Sequence, residues 1–216
     1  MVWKIVLLVV MTWVIVGAFI LPAPQQAIGE ASRIFYFHVP QAWVAVVAFL
    51  VSMVASVRFL RNGNRLEDDR ARVAAGLGLL FSLLATVSGS IFAKVTWQSY
   101  WNWDPRETSI LILLLIYGAY FALRTAVTEP ERQARLAAVY AIFAFVTVPF
   151  LMFVIPRVLP SLHPSDSIVD ESGSFAMSLE TSVVFFPSLA AFTGVFIWMY
   201  RLGRRVTTAE RLRIEE

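Results

Sequence analysis

WQSYWNWDPRETS, residues 97–109, is the stretch around which the chain is organised, and it joins two long apolar segments. It holds three of the seven tryptophans, at positions 97, 101 and 103. It also carries a helix start signal, in which Asp104 can act as N-cap, Pro105 fits the first helical position and Glu107 stands three residues after the cap. The sequence therefore predicts an aromatic, partly polar segment that leads directly into a hydrophobic helix.

The composition indicates an integral membrane protein. The chain has 216 residues, of which 58% are hydrophobic and 15% charged, whereas soluble domains carry about 25% charged residues. The mean hydropathy is +0.70. The sequence has no cysteine, which excludes disulfides, thiolate metal sites and cysteine nucleophiles. The net charge of +3 follows membrane topology, as shown below, and we expect membrane lipid rather than nucleic acid as a partner.

Six apolar segments approach the length of about 20 residues that a transmembrane helix needs. We therefore predict an all-α integral membrane protein, a six-transmembrane-helix bundle with an external tryptophan-rich segment, in a single membrane domain over residues 1–216. The predicted spans are 5–21, 39–57, 73–93, 108–123, 136–155 and 183–200.

The basic residues give the predicted bundle an orientation, because cytoplasmic loops carry an excess of lysine and arginine. Fourteen of the eighteen lie on one side, including five in a solvated loop predicted at 58–72. We predict that this side and both termini are cytoplasmic. The outer loops are then 22–38, 94–107 and 157–182, and they carry the other four basic residues, Arg33, Lys94, Arg106 and Arg157.

The two histidines, His38 and His163, both fall on the predicted outer side, together with the tryptophan-rich segment. They are too few for a structural zinc site, which needs four protein ligands. Two histidines with a carboxylate, Asp104 or Asp166, could form an open iron site. Haem suits the pair better, because its iron leaves two axial positions that imidazoles fill well.

The surrounding residues also suit a porphyrin. Trp97, Trp101 and Trp103 offer flat apolar surface for stacking. Arg33 and Arg106 could pair with the propionates, and Arg106 is at the start of a helix, where anions are favoured. Simpler interpretations remain open for each feature, namely an interfacial aromatic belt for the tryptophans and His38, and helix capping for Asp104.

Two motifs resemble a known family. Trp97-x-x-x-Trp101-x-Trp103-Asp104 resembles the WWD signature of the haem-handling membrane proteins of cytochrome c biogenesis. FHVPQAW, residues 37–43, resembles the HVPxAW segment of the cytochrome c maturation haem exporter protein C family, and His163 resembles the external histidine before that family's last helix. Gln98 and Tyr100 depart from the usual signature, and residues 104–108 lean towards the related cytochrome c synthase branch.

The resemblance implies a transport or relay function rather than an enzyme. Such proteins hold haem b at the outer face of the bacterial or archaeal cytoplasmic membrane and deliver it to a membrane-anchored haem chaperone, with a part in haem export. They work with ABC transporter subunits and a small single-span subunit. The site residues implied are the axial ligands His38 and His163, the platform Trp97, Trp101, Trp103 and Asp104, and the clamp Arg33 and Arg106.

Two other functions compete with this one. A haem lyase or cytochrome c synthase would act directly on apocytochrome. A small-solute transporter has little support, because no charged residue lies in the middle of a predicted span to line a path.

Overall fold

The computed structural model describes residues 2–25, 28–163 and 177–215. The described residues are 87% helical and contain no β-strand. Seven α-helices lie in this described part of the chain, in the order α1 (Val2–Ile20), α2 (Phe35–Asn62), α3 (Arg65–Trp97), α4 (Pro105–Ala126), α5 (Pro130–Pro149), α6 (Ile155–Val158) and α7 (Leu179–Glu215). A 3₁₀ helix, Gly29–Ile34, precedes α2, and a π-helical turn, Phe150–Val154, joins α5 to the short α6.

The predicted six-helix membrane architecture is confirmed. Six helical segments in the described residues are long and apolar enough to cross a membrane. They comprise α1, α2 with its 3₁₀ extension, α3, α4, the continuous run from α5 to α6, and α7. Each predicted span falls within one of these segments, apart from the last residue of the first span, Leu21, which follows the end of α1.

The loop predicted at 58–72 is wrong, because this segment is helical except for the turn Gly63–Asn64. Gly63 has φ 65°, a left-handed conformation that glycine adopts readily, and it ends α2. The Asn64 side chain then accepts a hydrogen bond from the Leu66 amide and caps α3. The charged residues that suggested a solvated loop therefore extend two helices beyond their apolar parts.

One of these charged residues, Asp68, forms a buried ion pair with Arg124 of α4. The two guanidinium nitrogens of Arg124 lie 2.7 and 2.8 Å from the two carboxylate oxygens, and the Tyr120 hydroxyl accepts a further bond from Arg124. Both side chains are about nine-tenths buried. This pair fixes α3 against α4 at the end of the bundle far from the histidines.

Two prolines inside helices each remove a backbone donor, and a side chain from another helix replaces it. Pro40 of α2 cannot donate to the Tyr36 carbonyl, which instead accepts a 2.5 Å bond from the Ser188 hydroxyl of α7. In the same way Pro187 of α7 leaves the Val183 carbonyl free, and the Trp13 indole of α1 donates to it at 2.9 Å. These bonds join α1, α2 and α7.

The central contact of the bundle is between α2 and α3, which run antiparallel over most of their length. Phe49 of α2 packs where a Cβ on Gly78 of α3 would lie, and its ring stacks on Tyr117 of α4 with the centroids 3.5 Å apart. Because of this arrangement the start of α2, the end of α3 and the start of α4 meet at one end of the bundle.

Candidate functional site

The candidate site lies at this histidine end of the bundle, which residues 21–25, 28–38, 88–105 and 158–163 form. His38 on α2 contacts Ser88 on α3, and His163, which follows α6, contacts both Trp97 and Asp104. The two imidazoles are close enough to interact electrostatically. Side chains from distant positions of the chain are thus brought to one place.

Asp104 is the organising residue of the site, and its side chain is almost completely buried. It accepts hydrogen bonds from the Arg106 amide at 2.9 Å, the Leu162 amide at 2.6 Å and the Ser161 hydroxyl at 2.9 Å. Burial by itself raises the pKa of Asp104, but these bonds outweigh it and the pKa lies below its usual value. Asp104 is therefore a carboxylate at neutral pH, and it fastens the chain before His163 to the start of α4.

His163 is held on two sides. Its Nδ1 lies 3.0 Å from the Asp104 Oδ1, and its ring meets the Trp97 ring edge to face at a centroid distance of 4.8 Å. Burial lowers the pKa of His163 and the Asp104 carboxylate raises it, with a net lowering that keeps the ring neutral at pH 7. Because the carboxylate can only accept, Nδ1 carries the proton. The free lone pair is then on Nε2, which has no hydrogen-bond partner among the described residues.

His38 is the fourth residue of α2, and its Nδ1 lies 3.1 Å from the Ser88 hydroxyl oxygen. The same hydroxyl lies within hydrogen-bond distance of the Leu84 carbonyl at 2.9 Å and the Ala85 carbonyl at 3.1 Å. When its proton goes to either carbonyl, the hydroxyl accepts from the His38 Nδ1–H, and the lone pair of the ring is then on Nε2. A Cβ on Gly89 would lie only 2.8 Å from the His38 Cε1, so the ring packs directly on the α3 backbone.

The tryptophan-rich segment has an unusual backbone at Trp103. This residue has φ 57°, in the left-handed region, and its side chain is 71% exposed. The amides of Asn102 and Asp104, on either side of it, both donate to the Glu107 Oε2, at 2.7 and 3.3 Å. The predicted capping box at Asp104 is present, and it holds Trp103 in a conformation that costs about 1–3 kcal/mol.

The three tryptophans of the segment are arranged at angles to one another. The Trp101 and Trp103 rings are perpendicular, with centroids 5.8 Å apart. Trp97, at the end of α3, packs against His163 as described and also meets the Phe92 ring at 5.6 Å. Trp97 therefore lies beside one candidate ligand, while Trp103 projects outward from the segment.

The two arginines predicted as a propionate clamp differ in their surroundings. Arg106 interacts electrostatically with both histidines, forms no ion pair with any acid in the described ranges, and has a buried Nε without a hydrogen-bond partner there. Arg33 is already engaged, because its Nε lies 2.6 Å from a Glu30 carboxylate oxygen. Its Nη1 donates to the carbonyls of Ala18 and Leu21 at 2.5 and 2.6 Å, at the end of α1. Arg33 would have to exchange these partners to bind a propionate.

The donor set fits haem better than an open iron site. The Asp104 oxygens already accept from the chain, and the described residues contain no group of three His, Asp or Glu side chains that could hold a metal ion. Asp166, the other carboxylate considered, lies outside the described residues, as does the rest of 164–176 within the predicted outer loop 157–182. Two imidazoles remain as candidate iron donors, and two is the number of axial ligands that haem iron accepts.

Sequence reasoning missed the partners of the two histidines. Ser88, Gly89 and Ser161 are not among the candidate site residues predicted from the sequence. Ser161 lies two residues before His163, and a hydroxyl so close to a candidate ligand is a local signal. For Ser88 and Gly89 the sequence has no such signal, because the contact with His38 depends on how α2 packs on α3.

Comparison with known proteins agrees with the resemblance seen in the motifs. The family model for Heme exporter protein C matches residues 1–215. The Heme exporter protein C of Bradyrhizobium diazoefficiens is 35% identical over 180 residues, which cover 82% of this chain and 66% of that protein.

Two further relatives show the same similarity. The Heme exporter protein C of Rhodobacter capsulatus is 34% identical over 123 residues, 57% of this chain and 50% of that protein. A Marchantia polymorpha protein described as a ccmC-like mitochondrial protein of cytochrome c biosynthesis is 31% identical over 169 residues, 78% of this chain and 71% of that protein. The chain thus spans between half and about seven tenths of the lengths of these relatives. With its sequence matched along almost its whole length, this multi-pass membrane protein belongs to the Heme exporter protein C family.

Proposed function

We propose that this protein binds haem b at the histidine end of the bundle and delivers it to a haem chaperone during cytochrome c biogenesis. The names of its relatives support a place in haem handling and cytochrome c biosynthesis. The observation that carries the proposal is the arrangement of the two histidines. Each Nδ1 lies within hydrogen-bond distance of a residue of the chain itself, an arrangement that would leave both Nε2 atoms to a metal centre.

The roles of the residues follow from this geometry. His38 and His163 would supply the two axial ligands of the haem iron. Haem would be the molecule that the protein carries rather than a cofactor for a reaction. Trp97 packs beside His163, and Trp101 and Trp103 would cover the porphyrin. Asp104 acts by orienting His163.

The propionates require cations. Arg106 is the better candidate of the two, because it interacts electrostatically with both histidines. Asp104 also interacts with it at longer range, but no acid among the described residues forms an ion pair with it. Arg33 would contribute only after releasing Glu30. Replacing Arg106 should therefore weaken haem binding more than replacing Arg33.

The surroundings of the protein are part of the proposal. We infer that it lies in the bacterial or archaeal cytoplasmic membrane with both termini in the cytoplasm, which places the histidines outside. Its partners would be a haem chaperone, ABC transporter subunits and a small single-span subunit. It would relay haem without catalysing the attachment of haem to apocytochrome. Cytochrome assembly that needs this protein but no chaperone would favour a lyase instead.

The test is the visible spectrum of the protein purified in detergent. We expect a bound low-spin haem with two nitrogen axial ligands, and we expect a changed spectrum in His38→Ala and in His163→Ala. Thr86→Ala is the control, because Thr86 bonds a carbonyl of α3 one turn before it, as Ser88 does, without contacting either histidine. Unchanged haem content and axial ligation in the double histidine variant would overturn the proposal.

A further inference from the structure

The two histidines have Nδ1 partners of different charge. The partner of His163 is the Asp104 carboxylate, at 3.0 Å, whose side chain is almost completely buried. The partner of His38 is the neutral Ser88 hydroxyl, at 3.1 Å, which also lies 2.9 and 3.1 Å from the Leu84 and Ala85 carbonyls of its own helix. The distances are nearly equal, so the difference between the two rings is one of charge.

This difference affects the strength of each Nε2 as a metal ligand. A carboxylate that accepts from Nδ1–H pulls the proton and increases the electron density on the opposite nitrogen, which raises the basicity of the ligand. A neutral hydroxyl has a smaller effect, since hydrogen bonds to charged groups are about twice as strong as those between neutral groups. His163 is therefore the stronger of the two donors.

The anchoring of the backbone adds to the asymmetry. The Asp104 carboxylate that polarises His163 also accepts from the Leu162 amide and the Ser161 hydroxyl, so ring and backbone are held by one buried anion. Trp97 packs against the same ring. For His38, the hydroxyl and the bare backbone at Gly89 fix the ring direction without adding charge.

We propose that His163 is the ligand this protein keeps on the haem iron and that His38 is the ligand exchanged when haem is handed over. The proposal rests on the proposed function and deepens it. In the exchange the bond from the His38 Nε2 breaks and the imidazole retains its lone pair. A donor atom of the acceptor supplies its own lone pair in its place, and no electron or proton is transferred.

The experiment compares haem-loaded variants in detergent, with apomyoglobin in excess as a haem trap and free imidazole as the incoming ligand. We expect His38→Ala to keep its haem, to show an open axial position, and to regain a low-spin spectrum when imidazole is added. We expect His163→Ala to lose haem to the trap at least about tenfold faster than His38→Ala, the lower end of the usual effect of weakening a ligand.

The partner residues give a second, independent comparison. Asp104→Asn retains an oxygen for the helix cap and should accelerate haem loss by about 10–100-fold. Ser88→Ala should accelerate it by less than Asp104→Asn, and Thr86→Ala should leave it unchanged. Ser161→Ala removes one support of the loop but not the charge, and should therefore have a smaller effect than Asp104→Asn.

The outcomes separate this inference from the proposed function. If the double histidine variant keeps an unchanged haem spectrum, the proposed function fails. If the double variant loses haem but His38→Ala loses it as fast as or faster than His163→Ala, only the order of exchange is wrong. The order is also wrong if Ser88→Ala weakens haem binding as much as Asp104→Asn does.

Discussion

Gly89→Ala is the substitution that tests most directly how the His38 ring is positioned against the α3 backbone. The added Cβ would lie 2.8 Å from the His38 Cε1, whereas ordinary contacts begin at 3.4 Å, so the ring must retreat by about 0.6 Å. A ligand position usually tolerates about 0.5 Å. The same shift lengthens the 3.1 Å contact between the His38 Nδ1 and the Ser88 hydroxyl. We therefore expect haem affinity to fall by about 10–100-fold, as when an outer-shell partner is lost.

The stability of the fold should change much less than haem binding. Alanine is favoured over glycine inside a helix by about 1 kcal/mol, which offsets part of the cost of moving the ring. Gly118→Ala in α4 is the matched control, because its Cβ would meet no atom within 4 Å. The assay is haem titration followed by absorption, with thermal unfolding of the haem-free proteins measured in parallel. Equal haem affinity and equal spectra for Gly89→Ala and Gly118→Ala would refute the reasoning.

Three further predictions concern the ion pair, the titration of His163 and the strained tryptophan. Asp68→Asn leaves the buried Arg124 with one side-chain oxygen acceptor and no negative charge to pair with. It should lower the free energy of unfolding, measured by chemical denaturation, by about 3–5 kcal/mol. A change below about 1 kcal/mol would contradict burial of the ion pair. Asp104→Asn should lower the pKa of His163 further, because the carboxylate raises this pKa in the native protein. In an NMR titration of the haem-free protein, the His163 ring of the variant should therefore become protonated at a lower pH than in the native protein. A higher titration midpoint in the variant would contradict the prediction. Trp103→Asn replaces a residue at φ 57° with one that tolerates positive φ. It should leave the free energy of unfolding unchanged or raise it by about 1 kcal/mol, whereas haem retention should fall. Haem retention equal to that of the native protein would show that Trp103 is not part of the site.

Local chemistry made part of the structure predictable. Apolar length is enough to predict six membrane helices, because lipid requires the backbone to be satisfied within each helix. The capping box at Asp104 could be predicted because its signal, aspartate, proline and glutamate in four consecutive positions, lies within one turn of the chain.

Contacts between distant residues could not be predicted in this way. Ser88 is fifty positions from His38 and meets it only through the packing of α3 on α2. The short turn Gly63–Asn64 could not be predicted, because a run of charged residues is equally consistent with a long loop and with two helices that extend beyond the membrane. Arg33 could be predicted as a cation but not as a residue that donates to the carbonyls at the end of α1. The sequence pattern does not show which carbonyls lie within reach of an arginine.

The carbonyls left free by Pro40 and Pro187 have a consequence for how the bundle resists separation. A buried carbonyl without a hydrogen-bond partner costs several kcal/mol. The Tyr36 and Val183 carbonyls avoid that cost only while Ser188 and Trp13 stay beside them. Separating α7 from α1 and α2 would therefore leave two backbone carbonyls without their hydrogen-bond partners. Each proline thus makes the stability of its own helix depend on contact with a neighbouring helix.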